Sequence, residues 1–262
     1  MRSGKPAAAF AVLLVVSFAV MNTMPSDTLS AALLQEAVLA LVALLAVGLA
    51  VPDALKRCTR TVQQRSIVRF AAITLLLVGL VGGAITLLAW LFSGGGTMAC
   101  FASTALPSTV DLMENLLLLL GICLLTGLYE ESFMRVLGIE AFERALDAKR
   151  AILASAALFA LLHVGAPDVS AGQLVLLQTA LKFGQALLFG VILGALYARM
   201  RRLWPCAFIH AGFDILYMAP NVLLTGTMPE TYASGAVGDT VLLAVSVLML
   251  SGIVLKICKE IA

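Results

Sequence analysis

Residues 112–135 read LMENLLLLLGICLLTGLYEESFMR, a long apolar run that ends in a cluster of charged side chains. A bilayer core about 30 Å thick is crossed by about 20 apolar residues in helical conformation. The run therefore predicts a transmembrane helix over residues 112–133. Other stretches of the same character are 7–24, 31–51, 70–92, 151–164, 174–198, 204–223 and 240–258. We expect an all-α fold, a polytopic transmembrane helix bundle of about eight spans.

The composition also indicates a membrane protein. Hydrophobic residues make up 61% of the 262 residues and charged residues 12%, whereas soluble domains average about 45–50% and about 25%. So few charged side chains do not cover the surface of a soluble globule. The net charge of +2 leaves no basic surface for nucleic acid. We therefore expect the lipid bilayer as a partner and no nucleic acid.

The distribution of basic residues predicts the orientation of the chain. All 17 Lys and Arg residues except Lys182 lie in the segments 1–6, 52–69, 134–150 and 199–203 and in the C-terminal tail. The segments on the opposite side of the membrane carry only acidic charges. They are residues 25–30, 93–111, 165–173 and 224–239. Because cytoplasmic loops are rich in Lys and Arg, we predict that both termini are cytoplasmic. The expected location is the membrane, as a multi-pass protein of the bacterial inner membrane.

The first apolar stretch has two interpretations. It begins with Arg2 and Lys5, as a secretory signal peptide would, but no clear small-x-small cleavage site follows it. We therefore interpret residues 7–24 as an uncleaved first span.

Ionisable residues inside membrane spans are costly and mark functional sites. Here they form three short clusters, Glu130-Glu131-x-x-x-Arg135, Phe159-x-x-x-His163 and His210-x-x-x-Asp214. Residues four apart share one face of a helix, so Arg135 is placed to hold Glu131 while Glu130 points elsewhere into the bundle. Taken singly, each cluster also fits a solvated helix end or a structural hydrogen-bond pair.

Taken together, the clusters indicate chemistry on water. His163 and His210 are the only two histidines, and both fall inside predicted spans. Two imidazoles and a carboxylate that converge can act as a general base toward water. Glu130, His163 and His210 are also a set that zinc uses with one position left open, so a divalent metal is an alternative. No other cofactor-binding motif is evident, and neither HExxH nor GxSxG occurs.

In this order, the three clusters resemble the CPBP family of intramembrane proteases, which contains the CAAX prenyl proteases and bacteriocin-processing (Abi) enzymes. The resemblance covers residues 112–224 and implies a catalytic core there. Residues 1–111 and 225–262 are then accessory spans of a single transmembrane domain, 1–262.

The resemblance also implies roles for individual residues. Glu130 looks like the general base that activates water, helped by His163, and Glu131, Arg135 and Phe159 look like its support. His210 and Asp214 look like the group that stabilises an oxyanion. An ionised Asp214 would repel an oxyanion, so it is expected either to be protonated or to orient His210 by accepting a ring N–H.

The implied function is an intramembrane endopeptidase. It would use Glu/His-activated water to hydrolyse a peptide bond of a membrane-associated protein or peptide, either prenylated or leader-bearing. Two alternatives remain, a non-catalytic membrane partner such as an immunity or assembly factor, and an ion or solute transporter that uses the same buried polar residues. We expect the site to open toward the cytoplasm.

Several features outside the clusters carry weaker expectations. Gly79-x-x-x-Gly83 and Gly190-x-x-x-Gly194 predict close packing of helices, and the amphipathic segment 136–150 is expected along the membrane interface. Glu36, Glu114 and Lys182 fall within spans, but each is expected to reach an interface or to be structural.

Overall fold

The computed structural model describes residues 4–56, 62–92, 107–164, 170, 172–229 and 233–261. Parts of the predicted loops 1–6, 52–69, 93–111, 165–173 and 224–239 lie outside these residues. Arg2, from the predicted basic start of the first span, is one of them. In the described residues the chain is helical and contains no strand. The helices are α1 (Lys5–Thr23), α2 (Leu29–Ala50), α3 (Val62–Phe92), α4 (Thr109–Glu130), α5 (Glu140–Phe142), α6 (Ala148–Val164), α7 (Gln173–Met200), α8 (Leu203–Thr225) and α9 (Val237–Ile261).

The described residues contain seven helices that are long and apolar enough to cross a membrane. The remaining predicted span, 151–164, corresponds to α6, which has 17 residues and is about 25 Å long at 1.5 Å per residue. It is therefore shorter than the seven long helices. The predicted class, a polytopic helix bundle, is confirmed, while the division into a core and accessory spans stays a prediction.

The helix that carries the first cluster is longer than expected. It begins after Ser108, whose hydroxyl accepts from the backbone of Asp111 in a capping box. It continues past residue 133 as a π-helix over Glu131–Ile139 and ends with α5 at Phe142. Every residue of the π-helix is buried. The expectation that segment 136–150 lies along the interface is therefore wrong for its first part, which packs its apolar side chains into the core.

Close approach between helices depends on small residues. A Cβ at Gly79 would lie 2.8 Å from the backbone oxygen of Phe213, and one at Gly83 would overlap that of Leu216. On α4, a Cβ at Gly127 would lie 2.6 Å from the backbone oxygen of Ala207. These contacts bring α8 against both α3 and α4 and fix the height of its polar residues.

The second predicted glycine pair packs α7 against α6. A Cβ at Gly190 would lie 3.0 Å from the Cβ of Ala156, and one at Gly194 would lie 2.9 Å from a side-chain methyl of Ile152. Both glycine pairs therefore act as predicted, and together they enclose the space in which the three clusters meet.

Candidate active site

A cavity of about 1100 Å³ penetrates the bundle among α2, α4, α6, α7 and α8. The four residues expected to be catalytic all line it: Glu130 on α4, His163 on α6, and His210 and Asp214 on α8. Three separate helices thus bring residues of the three sequence clusters to one cavity within the membrane-spanning part of the chain.

The length of α4 explains how Glu130 and His163 meet. With the span expected to end at residue 133, Glu130 would lie near its inner end, well away from the depth of His163. Because the helix runs on to Phe142, Glu130 lies about 18 Å from that end, and His163 lies about 22 Å from Ala148. The two side chains therefore reach similar depths.

Glu130 faces both imidazoles. Its Oε1 lies 4.0 Å from Nε2 of His163, and its Oε2 lies 3.5 Å from Nε2 of His210. Nδ1 of His163 lies 2.9 Å from the backbone oxygen of Phe159. A carbonyl oxygen only accepts, so Nδ1 carries the proton that it donates, and Nε2 of His163 is the nitrogen directed at Glu130.

Glu131 is a buried carboxylate that contacts Arg135 and His210. Its Oε2 lies 3.1 Å from Nε of Arg135, the i, i+4 contact expected from the sequence, and both side chains are fully buried. Its other oxygen lies 2.8 Å from Nδ1 of His210. The guanidinium of Arg135 stacks 4.4 Å from the ring centroid of Phe159, and that ring lies 4.2 Å from the His163 ring. One charged network therefore underlies both histidines.

The sequence assigned the orientation of His210 to Asp214 as one of two options. In the structure, Nδ1 of His210 donates the short hydrogen bond to Glu131, while Oδ2 of Asp214 lies 3.4 Å from Nε2 of His210. The reason is the close crossing of α4 and α8 at Gly127, which places Glu131 beside His210. Small residues at the crossing, Gly127 with Ala207 and Ala211, are the sequence signal that could have indicated this contact.

A divalent metal was the alternative cofactor for this site. Among the described parts of the chain, no group of three or more His, Cys, Asp or Glu side chains is placed to hold a metal ion. Zinc ligands stand about 2.0–2.2 Å from the ion, so two ligand atoms of one ion lie about 3–4 Å apart, and Oε1 of Glu130 and Nε2 of His163 are 4.0 Å apart. The alternative of a divalent metal held by Glu130, His163 and His210 stays a prediction.

Two residues that were expected to reach an interface or to be structural line the cavity. Glu36, on α2, accepts a hydrogen bond from Thr126, and Lys182, on α7, donates to Oε1 of Gln185 at 3.2 Å. Glu114, the third such residue, is exposed on α4 as expected. Distance from a helix end was the wrong measure for Glu36 and Lys182, because the cavity extends well inside their helices.

The cavity reaches one face of the bundle at two segments of the chain that flank helices. Its lining includes Met24–Asp27, between α1 and α2, and Thr227–Pro229, after α8. Both belong to segments without Lys or Arg, which the positive-inside rule places outside the cytoplasm. This placement differs from the expected cytoplasmic opening, which had been inferred from Glu130 lying near an inner helix end.

Comparison with known families supports the same interpretation of the core. Residues 112–216 match the family described as type II CAAX prenyl endopeptidase Rce1-like. No curated protein matches the chain. The matched segment contains all three clusters, from Glu130 to Asp214. The match confirms their resemblance to the CPBP family and makes this chain similar, over residues 112–216, to a multi-pass intramembrane protease of the CAAX endopeptidase type.

Proposed function

We propose that this chain is an intramembrane endopeptidase in which Glu130 activates water for attack on a peptide bond. The observation that supports this most directly is the convergence of Glu130, His163, His210 and Asp214 on one cavity. A general base must lie within hydrogen-bond reach of the water that it deprotonates. Glu130 meets that condition, because its side chain is about one-fifth exposed and that exposure is to the cavity.

The gap between Glu130 and His163 is suited to a water molecule. The 4.0 Å between Oε1 and Nε2 is too long for a direct hydrogen bond. A water bound about 2.8 Å from each atom spans it, with an angle of about 90° at the water oxygen. Such a water donates one hydrogen to the carboxylate and the other to the unprotonated Nε2.

The hydrolysis then balances with these groups alone. As the water oxygen bonds to the peptide carbonyl carbon, its proton passes to Glu130 and the carbonyl oxygen becomes an oxyanion. When the C–N bond breaks, the carbonyl re-forms and the proton on Glu130 passes to the leaving nitrogen. The products are a carboxyl terminus and an amine, and Glu130 returns to its starting state.

The buried ion pair has a defined part in this step. Glu131 accepts from Nδ1 of His210 and is itself held by Arg135. The imidazole of His210 is therefore fixed in place against Glu130, so that the general base cannot turn away from the cavity. Preorganised charges of this kind lower the cost of reorganisation in the transition state.

The cavity is large enough to accept a segment of a peptide. Its volume of about 1100 Å³ is at the upper end of the range for ligand pockets, which are about 300–1,000 Å³. We propose that the substrate is a membrane-associated protein or peptide, prenylated or leader-bearing, which enters from the face formed by Met24–Asp27 and Thr227–Pro229.

The test uses purified protein in proteoliposomes and a panel of fluorogenic peptides. The panel contains a farnesylated peptide that ends in a CAAX sequence, its unprenylated counterpart, and hydrophobic leader peptides. We expect wild-type protein to cleave at least one peptide, and Glu130→Gln and His163→Ala to reduce that cleavage by at least about 10²-fold. Glu114→Gln, on the same helix but away from the cavity, is the matched control and should cleave normally. Cleavage of no peptide by wild type, or full activity in Glu130→Gln, would refute the proposal.

A further inference from the structure

The cavity has an excess of acidic groups for a site that must stabilise negative charge. Its described lining includes Asp27, Glu36, Glu130 and Asp214. Attack of water on a carbonyl creates an oxyanion, which needs hydrogen-bond donors or a cation aimed at it. Ionised carboxylates supply neither. Since both ring nitrogens of His210 face carboxylates within 3.5 Å, its N–H groups are also largely committed.

Lys182 carries the only ammonium or guanidinium group among the described residues that line this cavity. It lies about two and a half turns into α7, counted from Gln173. Asp214 and Glu130 line the same cavity. Lys182 therefore places a positive charge in the same space as the general base.

The direction of the Lys182 side chain is informative. A lysine near the start of a span usually extends toward the nearer interface, which for α7 is the side of Gln173. Instead, the ammonium donates to Oε1 of Gln185, which is further along the helix. The side chain thus turns away from the near interface and toward the level of Asp214.

A second contact holds it there. The amide nitrogen of Gln185 donates to the hydroxyl of Tyr217 at 2.9 Å, and Tyr217 is three residues beyond Asp214 on α8. With its nitrogen engaged by Tyr217, the Gln185 amide presents its oxygen to Lys182. The chain Lys182–Gln185–Tyr217 therefore couples the ammonium to the helix that carries His210 and Asp214.

We propose that Lys182 is a further catalytic residue, whose ammonium stabilises the oxyanion formed on the substrate carbonyl. This role rests on the proposed hydrolysis and supplies the positive charge that the acidic lining lacks. Asp214 then balances the charge of Lys182 in the resting site, and it need not donate to the oxyanion.

The test compares kcat and KM for the peptide that wild type cleaves best in the panel above. Removing one oxyanion donor lowers kcat by about 10²–10³-fold, so we expect that loss in Lys182→Met with KM changed less than about threefold. Lys182→Arg keeps a cationic donor and should recover part of kcat. Lys149→Met, which removes an exposed lysine from α6, is the matched control and should leave both constants unchanged.

A double substitution makes the test specific to the charge. Asp214→Asn replaces an acid with a neutral amide donor. In that background Lys182→Met should cost at least about tenfold less kcat than in wild type, because the amide takes over part of the stabilisation. Lys182→Gln repeats the comparison if Lys182→Met does not elute as a folded monodisperse protein.

The outcomes separate this inference from the proposed function. Cleavage that needs Glu130 but not Lys182 would overturn only the role of Lys182. A raised KM with unchanged kcat would also overturn it, since that result identifies a group that binds the ground state. Cleavage of no peptide by wild type would overturn both.

Discussion

The buried pair of Glu131 and Arg135 offers the sharpest test of the site's construction. Both side chains are fully buried, and their contact is 3.1 Å. Removing one partner of a buried ion pair leaves an uncompensated charge and costs about 3–5 kcal/mol of folding free energy. We therefore expect that loss for Arg135→Met, which leaves the negative charge of Glu131 unpaired. We expect the same loss for Glu131→Leu, which leaves the positive charge of Arg135 unpaired. Replacing both partners with apolar residues of similar volume removes both charges, so the double variant should regain most of the stability.

Stability and activity should then separate. Glu131 also accepts the hydrogen bond from Nδ1 of His210, and a leucine at 131 leaves that ring without its anchor. We expect the double variant to fold nearly as well as wild type but to cleave at least about 10²-fold more slowly, as for loss of a preorganised catalytic contact.

The assay is titration of the purified protein with a denaturing detergent, followed by tryptophan fluorescence, with peptide cleavage measured in parallel. The matched control is Arg150→Met, which breaks the contact of Arg150 with Asp147 at 3.3 Å, where the side chains are 75% and 58% exposed. That surface pair should contribute less than about 1 kcal/mol. If the two single losses simply add in the double variant, the pair is not coupled and the reasoning fails.

Three further predictions concern packing, positioning and metal. Gly127→Ala places a Cβ 2.6 Å from a backbone oxygen of α8 and should destabilise the protein by about 1–3 kcal/mol. Its control is Gly252→Ala, which has open space around the new Cβ and should be neutral or slightly stabilising. Equal midpoints of the two variants in the detergent titration would contradict this prediction. Tyr217→Phe removes the hydroxyl that accepts from Gln185, which in turn accepts from Lys182. It should lower kcat by several-fold, which is less than the loss in Lys182→Met. A change in KM larger than the change in kcat would argue against a positioning role. Because the proposed hydrolysis uses Glu130 and water without a metal, peptide cleavage should persist after dialysis against a chelator; restoration of lost activity by added zinc would contradict this and favour the metal alternative.

Features that belong to a single helix were predictable from the sequence. The spans follow from hydropathy, and the pairing of Glu131 with Arg135 follows from their spacing. The match over residues 112–216 supports the recognition of the three clusters. Each of these depends only on residues close together in the chain.

Features that depend on how helices cross were not predictable in the same way. The bond from Glu131 to His210 joins two helices and requires the close contact at Gly127. The π-helix over Glu131–Ile139 changes hydrogen-bond register, which hydropathy does not report. The helix also continues past residue 133 to Phe142, which leaves Glu130 well away from its inner end, so the expected depth of the site was wrong.

The residues missed in the cavity share one cause. Glu36 and Lys182 were judged by their distance from a membrane surface, on the assumption that water stops there. The cavity extends deep into the bundle and has polar residues in its lining. An ionisable side chain can therefore lie well inside a span and still contact a space that is large enough for water. Only the three-dimensional arrangement of α2, α7 and α8 shows this.

The location of the cavity opening also determines which compartment the reaction draws on. Because the lining reaches Met24–Asp27 and Thr227–Pro229, the orientation predicted from the sequence makes the site exchange water and protons with the compartment outside the cytoplasm. On that orientation, the water consumed in each turnover comes from that compartment, and the protonation of Glu130 follows its acidity, not the buffered acidity of the cell interior. If the chain lies in a bacterial inner membrane, as the sequence predicts, an energised membrane, which acidifies the outer surface, would slow the proposed reaction, and collapse of the proton gradient would speed it up.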